Sequence, residues 1–170
     1  MDEGDALWYH AEAFALLGHT PRASPEAVGA ITAWESEHGA RLPASVREFY
    51  AHEGDKLRLG GDRDWCVVPL AGFLRAMKDA ASHGSWVYSS WRPFYLPGEP
   101  HDQGEKPTIT HPVCIISDLF CNVDYQVDLV LDGSDDPWGR PNMPIDPDGP
   151  FSSFILALAR RKQRQGGGEL

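Results

Sequence analysis

No run of apolar residues in the chain approaches the roughly 20 needed to cross a bilayer as a helix. The opening residues, Met1-Asp2-Glu3-Gly4-Asp5, lack the basic start and apolar stretch of a signal peptide. Neither a membrane span nor export is expected, and the expected compartment is the cytoplasm. Cysteine is scarce. Cys66, Cys114 and Cys121 show no C-x-x-C spacing, and an odd number cannot pair completely within one chain, so buried thiols in a reducing compartment are expected. The phosphate-cradling patterns G-x-x-x-x-G-K and G-x-G-x-x-G are missing, as are the G-x-S-x-G nucleophile turn and the H-E-x-x-H zinc pattern. Basic residues are few beside acidic ones, 15 against 25. What remains is a chain of 170 residues, 42% apolar and 24% charged, which is the profile of one folded domain. A chain of this size buries about two-thirds of its unfolded surface, so a core forms without disulfide or structural metal. No cofactor is expected.

The net charge of −10 is concentrated in one stretch. From Glu99 to Asp148 eleven acids stand against two bases, Lys106 and Arg140, while the other 120 residues net only −1. Such a surface repels phosphate backbones and anionic lipid, so direct nucleic-acid or membrane binding is disfavoured and basic partners or cations are favoured. The basic cluster Arg160-Arg161-Lys162-Gln163-Arg164 sits where it complements the dipole of a closing helix.

Residues Ala6 to Leu17 space Leu7, Ala11, Phe14 and Leu17 on one side of a helix, with Trp8 and Ala15 beside them. Ser24-Pro25-Glu26 is a helix start leading through Val28, Ile31 and Trp34 to a stop at Gly39. Pro43 begins a short third helix carrying Val46, Phe49 and Tyr50, closed by Glu53-Gly54. Trp65 to Val68 reads as a short strand, Leu70 to Ala81 as a helix, and Trp86-Val87-Tyr88 as a strand candidate. Ser89 to Pro112 holds five prolines and reads as a long connection, followed by an apolar run from Val113 to Ile116. The clearest strand is Val123 to Leu131, in which Val123, Tyr125, Val127, Leu129 and Leu131 alternate with Asp124, Gln126 and Asp128. One face of it is expected in the core and the other, acidic, in solvent. A proline-rich loop to Pro150 and an apolar closing helix from Phe151 to Ala159 complete the chain.

Little of this points to catalysis. His101, Asp102, His111 and Asp118 are of metal-ligating type, yet no helical or hairpin spacing aims them together. Asp124 and Asp128, four residues apart on a strand, stand roughly 13 Å apart, too far to share a proton. As parts of an acidic docking face they need no special geometry.

The second and third helices carry a recognisable order: Ile31-Thr32-Ala33-Trp34-Glu35, then Gly39, Leu42-Pro43, and Phe49-Tyr50 before Glu53-Gly54. This resembles the SUKH superfamily, which includes yeast cell-wall assembly regulators and many bacterial immunity proteins. Val67-Val68-Pro69-Leu70 looks like its first strand entering a helix, and Phe151-Ser152-Ser153-Phe154-Ile155 like its closing helix. The resemblance covers about Val28 to Arg161 and departs from the family between Ser89 and Pro112 and between Asp132 and Pro150. It implies an α+β domain, a twisted, mainly antiparallel sheet backed by helices. It further implies a binding protein, not an enzyme, that neutralises a toxin domain, often a nuclease, released by competing bacteria.

Residues 1–23 are accordingly expected to be a helical extension, 24–165 the SUKH-like domain and 166–170 a flexible tail. The partner expected is a basic toxin domain, with the protein itself a monomer or homodimer. The expected docking residues are Asp118, Asp124, Asp128, Asp132, Asp135 and Asp136, with loop aromatics Trp91, Tyr95 and Trp138 as anchors. Two alternatives remain: a regulatory or scaffold module that binds a peptide or host protein without neutralising it, and a hydrolase using the His101 to Asp118 cluster.

Overall fold

A computed structural model describes residues 7–59, 65–83, 112–118, 126–131, 133–141 and 149–166. Helices α1 (Ala11–Leu16), α2 (Pro25–His38) and α3 (Ala44–Ala51) come first, then a 3-10 turn at Gly54–Lys56. Strand β1 (Trp65–Val67) and helix α4 (Leu70–His83) follow, then strands β2 (Pro112–Asp118), β3 (Gln126–Val130), β4 (Trp138–Pro141) and β5 (Gly149–Pro150). Helix α5 (Phe151–Gly166) comes last. The strands form one sheet in chain order, each antiparallel to the next. The protein is thus an α+β domain built on an antiparallel meander.

Helix α2 begins and ends where its sequence directs. Ser24 accepts the Ala27 N–H through its hydroxyl, Pro25 opens the helix, and Gly39 takes the left-handed conformation at φ 60°. Glu35 then ties the following turn down, its Oε1 accepting the Leu42 N–H at 3.0 Å while Arg47 Nε approaches Oε2 at 3.6 Å. At the far end of α3 the left-handed residue is Glu53 (φ 60°), not Gly54. Gly54 serves a different need: a Cβ there would lie 2.5 Å from the Phe49 ring. Asp55, in the same turn, accepts the Leu70 N–H and so caps α4.

The core lies between the helices and one side of the sheet. Phe49 meets Phe14, Tyr50 and Phe151 edge to face, Tyr50 lies against Phe73, and the Tyr50 hydroxyl donates to the Val68 carbonyl at 2.8 Å. Phe151, Phe154, Ile155, Leu158 and Ala159 put one stripe of α5 into this core, at the i, i+3, i+4, i+7, i+8 spacing of an amphipathic helix. Between Cys114 and Ile116 the β2–β3 register shifts, a bulge that leaves Ile115 fully buried with its carbonyl accepting the Val68 N–H.

Several expectations need correction. The first helix starts at Ala11, not Ala6, and Trp8 is 85% exposed rather than set beside an apolar face. The stretch after Asp132, read as loop, contains β4 and β5, which pair through Trp138↔Pro150 and Gly139↔Gly149. Their residues carry no alternation because the strands have only four and two residues. The closing helix continues past Ala159 to Gly166. The strand candidate at Trp86-Val87-Tyr88 and the connection from Ser89 to His111 lie outside the described residues.

Candidate functional site

The nine expected docking residues separate into three groups. Trp91, Tyr95, Asp124 and Asp132 lie outside the described residues. Asp118 closes β2 at the register position opposite Trp65. Asp128 contradicts its expected place on an open acidic face: it is only 4% exposed, between Val127 and Leu129, which are fully buried. Alternation along a strand tells which residues share a face, not whether the second face is covered. Strand β3 lies inside the sheet between β2 and β4, with Cys114 and Arg140 at the positions flanking Asp128.

Asp135 and Asp136 lie in the loop that enters β4 at Trp138, and this loop is stitched to two helix starts. Pro43 gives α3 no side-chain cap; instead the Asp135 carbonyl accepts the Ser45 N–H at 2.8 Å. The Asp136 carboxylate accepts the Ser152 N–H at 3.0 Å and the Ser152 hydroxyl, and the Pro137 carbonyl accepts the Phe151 N–H at 2.8 Å. Three consecutive residues thus cap α3 and α5, and the Asp136 carboxylate is engaged within the fold rather than offered to a partner. Asp135 is exposed while its backbone is fixed by the Ser45 bond. Trp138 is half-buried, and its indole N–H has no partner among the described residues.

Against this loop lies the segment that precedes α1. Its backbone N–H groups at Trp8, Tyr9 and His10 converge on the Glu48 carboxylate, at 2.7 Å to Oε2 and at 2.9 and 2.8 Å to Oε1. A carboxylate cradled by successive amides is a charge-assisted arrangement, each bond worth about 1.5–3 kcal/mol. It also explains the late start of α1, because these amides are satisfied forty residues away instead of by a helical turn. Sequence reading missed Glu48; the one hint was that α1 has no Ser, Thr, Asp or Asn at its start, His10 being the cap residue.

His10 is fully buried. Its Nε2–H donates to the Ser45 carbonyl at 2.9 Å, which leaves Nδ1 as a bare acceptor with no partner among the described residues. The rings of Phe49 and Phe151 meet it edge-on, both at 5.3 Å, and Phe14 lies at 6.3 Å. Burial pushes its pKa below the ordinary value, opposed by the Ser45 carbonyl and the negative charges of Glu48 and Asp136, while His52 adds to the lowering. The Tyr9 phenol is raised, first by desolvation and then by the carboxylates of Asp135, Asp136 and Glu48. Glu48 and Asp136 act on both groups, and Asp135 on Tyr9 as well.

His10 and Ser45 do not form a nucleophile and base. The imidazole N–H is committed to the serine carbonyl, and Ser45 Oγ is buried with no partner among the described residues. Among the described residues no group of three or more His, Cys, Asp or Glu is arranged to hold a metal ion. The His101, Asp102 and His111 part of the sequence cluster lies outside the described residues. Among the described residues no helix is long and apolar enough to cross a membrane. In this corner of the molecule an indole, Trp8, and an acid on a fixed loop, Asp135, are exposed. Comparison with protein families, curated proteins and solved structures gives no match.

Proposed function

We propose that this protein is a cytoplasmic SUKH-like immunity protein that binds and neutralises a basic bacterial toxin domain, a nuclease in the leading case, by occlusion rather than catalysis. The observation that carries the reading is the charge distribution: a net −9 between Glu99 and Asp148 on an otherwise nearly neutral chain. A nuclease that grips phosphate presents a basic cleft, and an acidic protein associates with such a cleft quickly and in a salt-dependent way.

The arrangement around Glu35 supports the resemblance. Ile31 and Trp34 are buried in the core, Glu35 holds the Leu42 amide, and Pro43 sets the start of α3. The residues that carry the likeness therefore act together as scaffold, which suits a fold that varies its binding surface elsewhere.

The test is calorimetric titration against the toxin domain encoded beside the gene, its catalytic residue disabled, at low and moderate salt. One-to-one binding that weakens as salt rises is expected. Absence of binding at both salt concentrations would overturn the reading and favour a scaffold module.

A further inference from the structure

Among the described residues Trp8 is the one large apolar side chain left exposed. A single exposed hydrophobe is ordinary on a protein surface. The backbone beneath this one is not ordinary: Trp8, Tyr9 and His10 are pinned by three hydrogen bonds to Glu48, and the next anchor, His10, is sealed in the core. The indole is thus carried on a rigid mount, which lowers the ordering cost of using it as a contact.

Its surroundings are acidic. Asp135 is exposed on a loop locked to α3, the helix that also supplies Glu48. Glu48 itself brings a carboxylate to the Trp8 amide, at 2.7 Å. The acid closest along α1, Glu12, is already matched by Arg160 of α5 at 2.7 Å. Tryptophan is among the residues most enriched where truncation costs binding most, and a rim of one charge selects a partner of the opposite charge.

We propose that Trp8, with Asp135 on the adjoining loop, is the anchor by which this protein docks a basic protein surface. This rests on the neutralisation reading and relocates its contact from the buried acid of β3 to the corner between the N-terminal segment and the β3–β4 loop. The indole inserts into an apolar recess of the partner, and Asp135 meets a lysine or arginine at its edge.

The test uses the same catalytically disabled toxin domain as probe, titrated with wild type, W8A, W8F and D135K, with thermal melting of each variant alone. W8A is expected to weaken binding about 30-fold or more, the size of a strong interface anchor. W8F should keep part of the affinity, and D135K should lose most at low salt, where screening is weakest. All three should melt within a few degrees of wild type. If wild type binds and W8A binds equally well, the anchor is overturned and the neutralisation reading stands. If wild type does not bind, both fall. A large drop in the melting temperature of W8A, or a wild-type dimer that W8A dissolves, would also overturn the proposal, because the indole would then serve the fold or a second copy.

Discussion

At His10 a titratable ring sits among three phenylalanines with one nitrogen engaged and the other bare. Protonating Nδ1 would put a positive charge where no acceptor is in place, and that is why burial lowers the pKa despite Glu48 and Asp136 nearby. The unfolded chain takes this proton near the ordinary value of 6.5, and the folded protein only at lower pH. The contribution of neutral His10 to stability is therefore complete above 6.5 and is lost as pH falls from there towards the folded value. The steepest slope from this one group is about 1.4 kcal/mol per pH unit. An H10Q variant, whose amide can still donate to the Ser45 carbonyl, removes the titration. Urea unfolding across about pH 5 to 7 should show wild type losing stability relative to H10Q as the solution becomes acid. A gap that stays constant over that range would show that the proton does not distinguish the two states.

At the level of the element, β3 separates two kinds of acid that look alike in the sequence. Asp128 is buried inside the sheet, whereas Asp135 stands exposed on the loop beyond it. D128K forces a cation into a site only 4% exposed and should cost about 3–5 kcal/mol in chemical denaturation. D135K keeps the carbonyl that caps α3 and should change stability by no more than about 0.5 kcal/mol. Equal effects from the two would mean that burial does not set their roles. The same strand marks what could be read in advance. Helices α2, α3 and α4 were legible because their signals are local: Ser24 and Pro25, Gly39, Pro43, and the apolar spacing of Phe73, Leu74 and Met77. Strands β4 and β5 were not, because ladder pairing alone defines them and glycine and proline make up half or more of their residues. The acids of the second half were legible as a charge density. Their division into buried, capping and exposed was not, since it depends on Ser45, Ser152 and the covering of β3, all distant along the chain. Trp8 escaped for the same reason: its exposure follows from an acceptor on α3.

Across the whole molecule, carboxylates serve as fasteners between distant parts. Glu48 holds the N-terminal segment, Asp55 starts α4, and Asp136 starts α5. All three carboxylates are thus engaged with backbone amides rather than left to solvent alone. The longest of the closures is between α1 and α5: Glu12 and Arg160 are 148 positions apart, and His10 and Phe14 share a core with Phe151. On a ribosome adding about 5–20 residues per second, the early half of that closure waits roughly 7–30 s for the late half to be made. Once α3 has been made, the segment bearing Trp8 has its Glu48 tether but still lacks the floor supplied by Phe151. Chains arrested before α5 emerges should accordingly be cut by protease around residues 7–17, and those arrested after it should resist; equal protection in both would place the closure earlier. The indole most exposed among the described residues thus reaches its finished setting only after α5 has been made, although its own tether lies within the first third of the chain.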